Sequence, residues 1–311
     1  MKAFYCDTFV LPLPSQHRFP MCKYRLLRER IEAHNRDIPS QVIDLQLPPA
    51  ATLEQLRLAH DADYVQRAVD GQLSDKEIRV LGFPWSAALI ERSRRSSGAT
   101  IAAVEVALQT GVAVNLAGGT HHACYAQAQG FCVFNDSVIA ARHLQTTGQA
   151  RFPLIIDLDV HQGNGSAQIL QHDPSIFTLS LHGKNNFPLH KATSDLDVEL
   201  PDNCDDDTYL AALEQALATV LQRFAPDVVL FVAGADPYEH DRLGKLSLTK
   251  TGLQQRDEMV FAFCQQQRLP VSVSMAGGYA NVVSDIVDIH FQTVLAARQH
   301  WENIQSKEDK P

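Results

Sequence analysis

The chain has 311 residues, with 27 Lys plus Arg against 36 Asp plus Glu, a formal net charge of −9, 45% hydrophobic and 20% charged residues. That is globular composition, which excludes disordered, collagen-like and low-complexity classes. The acidic balance argues against a general nucleic-acid binder, which needs a basic face, and is weakly compatible with a cationic substrate.

The first candidate strands are Ala3–Tyr5 and Val42–Leu45. The opening segment, MKAFYCDTFVLPLP, carries Asp7 within its apolar stretch and lacks the apolar core of a signal peptide. A helix is expected over Ala99–Leu108, followed by a strand at Val112–Leu116 and a second helix at Val138–Leu144. Strands follow at Phe152–Leu158 and Ile176–Leu181. Thr208–Phe224 places Leu210, Leu213, Leu217, Val220, Leu221 and Phe224 on one helical face, and Asp205, Asp206 and Asp207 stand where carboxylates favour a helix start. Val228–Val232 and Val271–Met275 complete the strands, and NIQSKEDKP reads as a solvated tail. Near-continuous apolar strands alternating with helices predict a parallel sheet covered on both faces. No apolar run approaches the roughly 20 residues that span a bilayer. The six cysteines, Cys6, Cys22, Cys124, Cys132, Cys204 and Cys264, form no CxxC pair, so a reducing, cytoplasmic location is expected. Arg92–Arg95 reads as a solvated helix face or loop, Cys132 as packing, and GNG at 163–165 as turn chemistry.

The segments just beyond the strands carry the chemistry. Val112–Leu116 runs into AGGTHH, Phe152–Ile156 into DLDVHQGNG, Val228–Val232 into AGAD and Val271–Met275 into AGGY. Ligands of an open parallel sheet bind beyond the carboxyl ends of its strands. Asp159 and His161 are two apart, so an extended backbone aims them to one side. Asp236 from a neighbouring strand end would complete a three-ligand set of the kind that leaves a catalytic zinc one open position. Asp157 suits either the same side or a supporting bond to a histidine. His121 and His122 suit a general base and its electrostatic partner, and the Tyr279 phenol suits a donor to a developing oxyanion.

These residues, in this order, resemble the zinc-dependent histone deacetylase family. GGTHHACYAQAQGFCVFND, LIIDLDVHQGNG, TLSLH, AGADPYEHDRLGKLSLTKTG and MAGGY match its successive motifs across roughly residues 15–295. HQGNG, DRLGKLS and HRFPMCKY resemble the class IV branch and its bacterial relatives more than class I. The resemblance implies the arginase/deacetylase α/β fold, a single domain over residues 1–300 around a mainly parallel eight-stranded sheet with helices on both faces, and a polar tail at 301–311. It implies zinc held by Asp159, His161 and Asp236. His121 and His122 would flank the attacking water, with Asp157 paired to His121 and Asn164 to His122. Tyr279 would polarise the carbonyl. Phe131 and Phe187, with Gly130 and Gly278, would line an acyl tunnel, and His17 and Arg18 would lie near its mouth. Asp157, Ser180 and Leu181, with Asp159 and His161, would hold a structural potassium ion. The implied reaction removes an acyl group, most often acetyl, from an acyl-lysine peptide or protein or from an acylpolyamine. No nucleic acid or membrane partner is implied, and the sequence carries no signal for oligomeric state.

Gln162 and Asn164 stand where class I enzymes carry His and Asp. An amide orients an imidazole without stabilising its cation, so His122 should be the less basic of the pair. The O/N/O donor set also suits iron(II). Two rivals bear on the same layout. A binuclear manganese ureohydrolase of the arginase type would need an acid at position 163, which is Gly163, and a second Asp-rich loop, which here is Asp236 followed by Pro237. A non-catalytic acyl-amine binder would have lost a ligand, a histidine or the tyrosine, and all are present.

Overall fold

A computed structural model describes residues 1–14 and 17–308, with side chains described as far as residue 306. In chain order the elements are β1 (Lys2–Phe4), α1 (Cys22–Asp37), β2 (Asp44–Gln46), α2 (Leu53–Leu56), α3 (Ala62–Asp70), α4 (Asp75–Leu81), α5 (Ala87–Thr110), β3 (Val112–Asn115) and α6 (Asp136–Thr146). Then come β4 (Pro153–Asp157), α7 (Asn164–Leu170), β5 (Phe177–Gly183), β6 (Leu196–Leu200), α8 (Asp206–Arg223), β7 (Val228–Ala233), α9 (Lys250–Gln267), β8 (Val271–Met275) and α10 (Val283–Glu308).

The eight strands form one sheet in the order β2-β1-β3-β8-β7-β4-β5-β6, and every pairing is parallel. The central strands are buried at every residue because both faces are covered. Alternate residues serve different cores. Ile156, Phe231 and Val273 pack with Leu217, Val260 and Val294 of α8, α9 and α10. Ile155, Leu230 and Val232 pack on the other face with Val104, Val138 and Ile139 of α5 and α6. The site-bearing strands β3, β8, β7 and β4 are consecutive neighbours in the sheet, so their carboxyl ends converge on one spot.

Several helices start where a side chain supplies an acceptor. Asp205 caps α8 by accepting from Thr208 N at 3.0 Å, and Ser86 caps α5 from Leu89 N at 3.1 Å. Four expectations change. Leu221 turns away from the core and is 40% exposed. β6 is an additional edge strand whose residues are mostly half-buried. α5 starts at Ala87, and its Arg92–Arg95 stretch is no solvated face: Arg92 is buried, donating to the carbonyls of Cys6 and Phe9 at 2.9 and 3.1 Å. Backbone carbonyls of the N-terminal loop supply acceptors for that charge, so burial leaves it hydrogen-bonded. Residues 301–308 continue α10 instead of forming a tail, because Trp301 and Ile304 pack against the core; residues 309–311 lie outside the described residues. Among the described residues, no helix is long and apolar enough to cross a membrane.

Candidate active site

The carboxyl ends of β4 and β7 bring Asp159, His161 and Asp236 together, each offering one ligand atom within 4.8 Å of the others. The turns that carry them are fixed by their own backbone. Asp159 Oδ1 accepts from His161 N at 2.9 Å, Asp159 Oδ2 from Gly277 N at 2.8 Å, and Asp236 Oδ1 from Val160 N at 3.0 Å. Each carboxylate is thus aimed by an N–H from a neighbouring turn. Gly277 is required for this approach, since a Cβ there would stand 1.8 Å from Asp236 Oδ2.

His161 Nδ1 lies 2.9 Å from Asp159 Oδ1 and 3.2 Å from Asp236 Oδ2. The second contact lacks hydrogen-bond geometry, and Asp236 Oδ2 is buried without a hydrogen-bond partner. Burial disfavours a charged imidazole at His161, but the two carboxylates outweigh it and raise the ring to about 10. Burial, and the charge of Asp159 beside it, push Asp236 up. Two crowded carboxylates, one oxygen of them orphaned, and a ring whose basicity they sustain are a donor set that fits a divalent cation. Among the described residues it is the one three-ligand group of His, Cys, Asp or Glu.

His121 and His122 face this triad with ring centroids 4.1 Å apart, and His122 stands 5.8 Å from His161. His121 Nδ1 lies 2.6 Å from Asp157 Oδ2, and His122 Nδ1 lies 2.7 Å from Asn164 Oδ1. The two rings are therefore chemically unlike. Burial opposes charge on both. At His121 the carboxylates of Asp157 and Asp159 prevail and raise it to about 9. At His122 burial dominates and the cationic neighbours His121 and His161 add to it, holding the ring well below the usual range.

Tyr279 is buried, and its backbone is held from two sides: its N–H donates to Asp241 at 2.6 Å and its carbonyl accepts from Arg242 Nε at 2.7 Å. Its ring lies 6.1 Å from Phe131 and 6.4 Å from His161. Burial, then the charges of Asp159 and Asp236, raise the phenol well above its ordinary value, so it stays protonated.

Phe131 and Phe187 line one open cavity with His122, His161, Gly130 and Tyr279. Phe187 meets His122 edge-on at 4.8 Å. Gly130, at φ +57°, has no room for a side chain, because a Cβ would lie 2.5 Å from His122 Cδ2. Gly278 lies behind Tyr279, against Ile286 and Ala235. Arg18 lines the mouth, and His17 stacks on Phe83 beside Phe131. A second cavity shares His122, Gly130, Phe131, His161 and Tyr279 with the first and is also lined by Asp159, Tyr24, Leu89, Arg92 and Ser96. Asp157 and Ser180 are register partners across β4 and β5, with Leu181 next along.

Several supporting residues were not anticipated. Asp136 accepts from Gly119 N and Thr120 N at 3.1 and 2.7 Å, fixing the turn before the histidines. Asn135 Nδ2 donates to the carbonyls of His121 and Ala123. His60 bridges that loop, with Nδ1 2.9 Å from Cys124 O and Nε2 accepting from Asn135 N at 2.8 Å. Lys23 is buried behind the tyrosine turn, donating to Ala276 O at 3.1 Å and Gly278 O at 3.4 Å. Arg256 donates to Leu158 O and Gly234 O at 3.3 and 2.5 Å, tying together the two turns that carry the triad. A signal for Arg256 existed: Leu253, Arg256, Asp257, Val260 and Cys264 share one helical stripe, so the charges occupy core positions.

An all-parallel sheet of this order, with the Asp159–His161–Asp236 group at the carboxyl ends of its central strands, is the arginase/deacetylase fold. A family model described as a histone deacetylase domain matches residues 17–294, and the chain belongs to the histone deacetylase family. It is 45% identical over 294 residues to an uncharacterized protein of Picosynechococcus, covering 94% of this chain and 97% of that one. It is 33% identical to histone deacetylase 2 of Arabidopsis thaliana over 63% of this chain and 52% of the relative. It is also 33% identical to the acetoin utilization protein AcuC of Bacillus subtilis, over 66% and 59% respectively. The chain thus spans between half and three fifths of the length of these two relatives. Among solved structures, a histone deacetylase homologue complexed with SAHA superposes with a TM-score of 0.81 at 25% identity, covering 99% of this chain and 90% of that one.

Proposed function

We propose that this chain is a zinc-dependent deacylase that removes an acetyl group from an acylated primary amine, with acyl-lysine and acylpolyamine as the two substrate classes of suitable shape. The observation that carries this reading is the inequality of the two histidines beside the triad. One imidazole is backed by a carboxylate and the other by an amide.

When bound at Asp159, His161 and Asp236, the cation supplies Lewis acidity toward water and toward the amide carbonyl. His122 donates Nδ1–H to Asn164, which leaves its Nε2 lone pair free. Being the neutral ring, it is the group that accepts a proton from water. His121, cationic beside Asp157, stabilises negative charge and supplies a proton to the departing amine. Tyr279 donates its hydroxyl hydrogen to the carbonyl oxygen as that oxygen gains charge. Phe131 and Phe187 confine a linear chain and exclude water from its flanks. Asp157, Ser180 and Leu181 are the positions proposed for a structural potassium ion.

The SAHA complex of the homologue supports a site shaped for an extended acyl-amine-like chain. The test is hydrolysis of an acetyl-lysine peptide by metal-loaded protein, with a chelator control. Turnover that is abolished by chelation and restored by zinc is expected. Guanidine hydrolysis with two ions per chain would replace this reading with the ureohydrolase one.

A further inference from the structure

The mouth of the tunnel differs in charge from the rest of the chain. The protein carries a net −9, yet the exposed ionisable side chains lining the outer cavity are Arg18 and Lys245, both cations. The remaining polar lining at the rim is neutral: Gln129, Asn185 and Asn186. The carboxylates of Asp241 and Asp197 in the flanking loops are engaged by hydrogen bonds. Asp241 accepts from the N–H groups of Leu243, Gly244 and Tyr279, and Asp197 accepts from Gln162 and from Ser194 N. Asp202 stands outside the lining, bonded to Asn185 at 3.2 Å.

The two cations are placed by the fold. The Arg18 guanidinium lies 5.0 Å over the Phe131 ring, and its backbone carbonyl accepts from Arg242 Nη2 at 2.9 Å. Arg242 also holds the Tyr279 carbonyl, so the cationic rim and the tyrosine turn share one tether. Lys245 is anchored through its backbone carbonyl, which accepts from Asn203 N at 2.7 Å.

We propose that this mouth selects acyl-lysine within an acidic peptide or protein segment and discriminates against acylpolyamines. The proposal rests on the deacylase reading and narrows its substrate class. A polyamine acylated at one end keeps an ammonium group every few carbons. Those charges would lie inside the aromatic tunnel or at its rim, where the lining offers them two cations and no carboxylate. A lysine side chain instead loses its only charge on acylation, and the charges that reach the rim belong to its neighbours in sequence. One unit pair at about 8 Å in water changes affinity about twofold, so two cations facing two carboxylates give on the order of tenfold. The effect should be ionic-strength dependent, because both rim side chains are exposed.

The experiment uses the metal-loaded full chain and three labelled peptides that share one acetyl-lysine, flanked by Asp, Ala or Lys, together with a mono-acetylated spermidine. Both kcat/KM and direct binding by anisotropy for the peptides are measured at low ionic strength and at about 0.3 M salt. The expected order is Asp-flanked over Ala-flanked over Lys-flanked, spanning about tenfold or more at low salt, carried by KM and compressed by salt. Acetylspermidine should fall below the Ala-flanked peptide. Lys245→Glu alone should narrow the Asp-to-Lys ratio, and Lys245→Glu with Arg18→Glu should invert it; the single variant carries the test if the double fails to fold. Equal rates for the three peptides, preference for Lys flanks, better turnover of acetylspermidine, or a ratio unmoved by Lys245→Glu would overturn the proposal. Binding in the stated order without hydrolysis of any substrate would retain this charge selection and refute the deacylase reading.

Discussion

Replacing Arg256 with methionine tests whether the buried guanidinium holds the turns of the candidate metal triad in place. Arg256 is fully buried on α9, where its Nε donates to Asp257 Oδ1 at 2.9 Å. Its Nη2 lies 2.8 Å from the same oxygen, off the line of a hydrogen bond. Its Nη1 reaches Leu158 O, between Asp157 and Asp159, and Gly234 O, two residues before Asp236. Methionine keeps much of the volume but strands the Asp257 carboxylate, which then retains only Thr293 Oγ1 at 2.5 Å among the bonds described. Breaking a buried pair from one side costs roughly 3–5 kcal/mol, a large part of a typical stability of about 5–15 kcal/mol. Urea unfolding of metal-free protein should show that loss. Adding Asp257→Leu should return most of it, because the stranded charge dominates the cost. Metal affinity, measured by competition with a chromophoric chelator, should stay weakened in both variants, since neither restores the link to the two carbonyls. Full metal affinity in the destabilised single variant would refute the clamp, and a loss under about 1 kcal/mol would refute the energetic argument.

Tyr279→Phe should leave metal binding by calorimetry unchanged while turnover falls about 10²–10³-fold, the usual effect of deleting one oxyanion donor; rates like those of the parent would remove the tyrosine from the reaction. Asn164→Asp should raise the basicity of His122 by giving it a charged partner, shifting the acidic limb of the kcat/KM profile upward by about one to three pH units; an unmoved limb would mean that His122 does not set it. His60 should make folding acid-sensitive. Burial lowers it from 6.5 to about 4, against the modest raising effect of its bonds to Cys124 O and Tyr125 O. The folded state therefore resists a proton that the unfolded chain takes up. Stability from this group is complete above pH 6.5 and declines through the window down to about 4, by roughly 3 kcal/mol in all. Urea titrations across that window should give a shallower pH slope for His60→Met than for the parent, and identical slopes would count against the assignment.

The sequence exposes the parts of this molecule that follow a short-range rule. Apolar runs mark β3, β4, β5, β7 and β8 because strands buried on both faces admit few polar residues. The residues after those runs mark the site because a parallel sheet presents its ligands there. β6 escapes notice because an edge strand is half-buried and reads LDVEL, with charges on alternate positions. Arg92 misleads because its burial depends on carbonyls of Cys6 and Phe9, more than eighty residues away in sequence. His60 lies outside every motif, and Lys23 and Asp136 sit in motif segments that do not state their role; each acts by bonding to backbone groups of a turn that only the fold brings near. The role of such residues is set by distant main chain, which leaves no pattern of side chains to read. The charge of the mouth was legible only in the wrong sense. The net charge of −9 weakly favours a cationic substrate, whereas Arg18 and Lys245, 227 positions apart, meet at one rim and make it positive.

The difference between the two histidines comes from the same architecture. Asp157 ends β4 and Asn164 begins α7, so one turn supplies both partners and sets the charge of each ring independently. If both partners were carboxylates, both rings would be biased toward the cation, and a free proton acceptor would be present only at higher pH. If both were amides, burial would drive both toward neutrality, and the proposed reaction would lack a donor for the departing amine. A carboxylate on one and an amide on the other holds a proton on His121 and withholds it from His122, and the cation at His121 further suppresses protonation of its neighbour at a ring separation of 4.1 Å. The asymmetry is therefore built by one substituent in one turn, and the Asn164→Asp profile reads it directly: the two rings should become more alike, and the pH range over which one is charged while the other is free should narrow from its acid side.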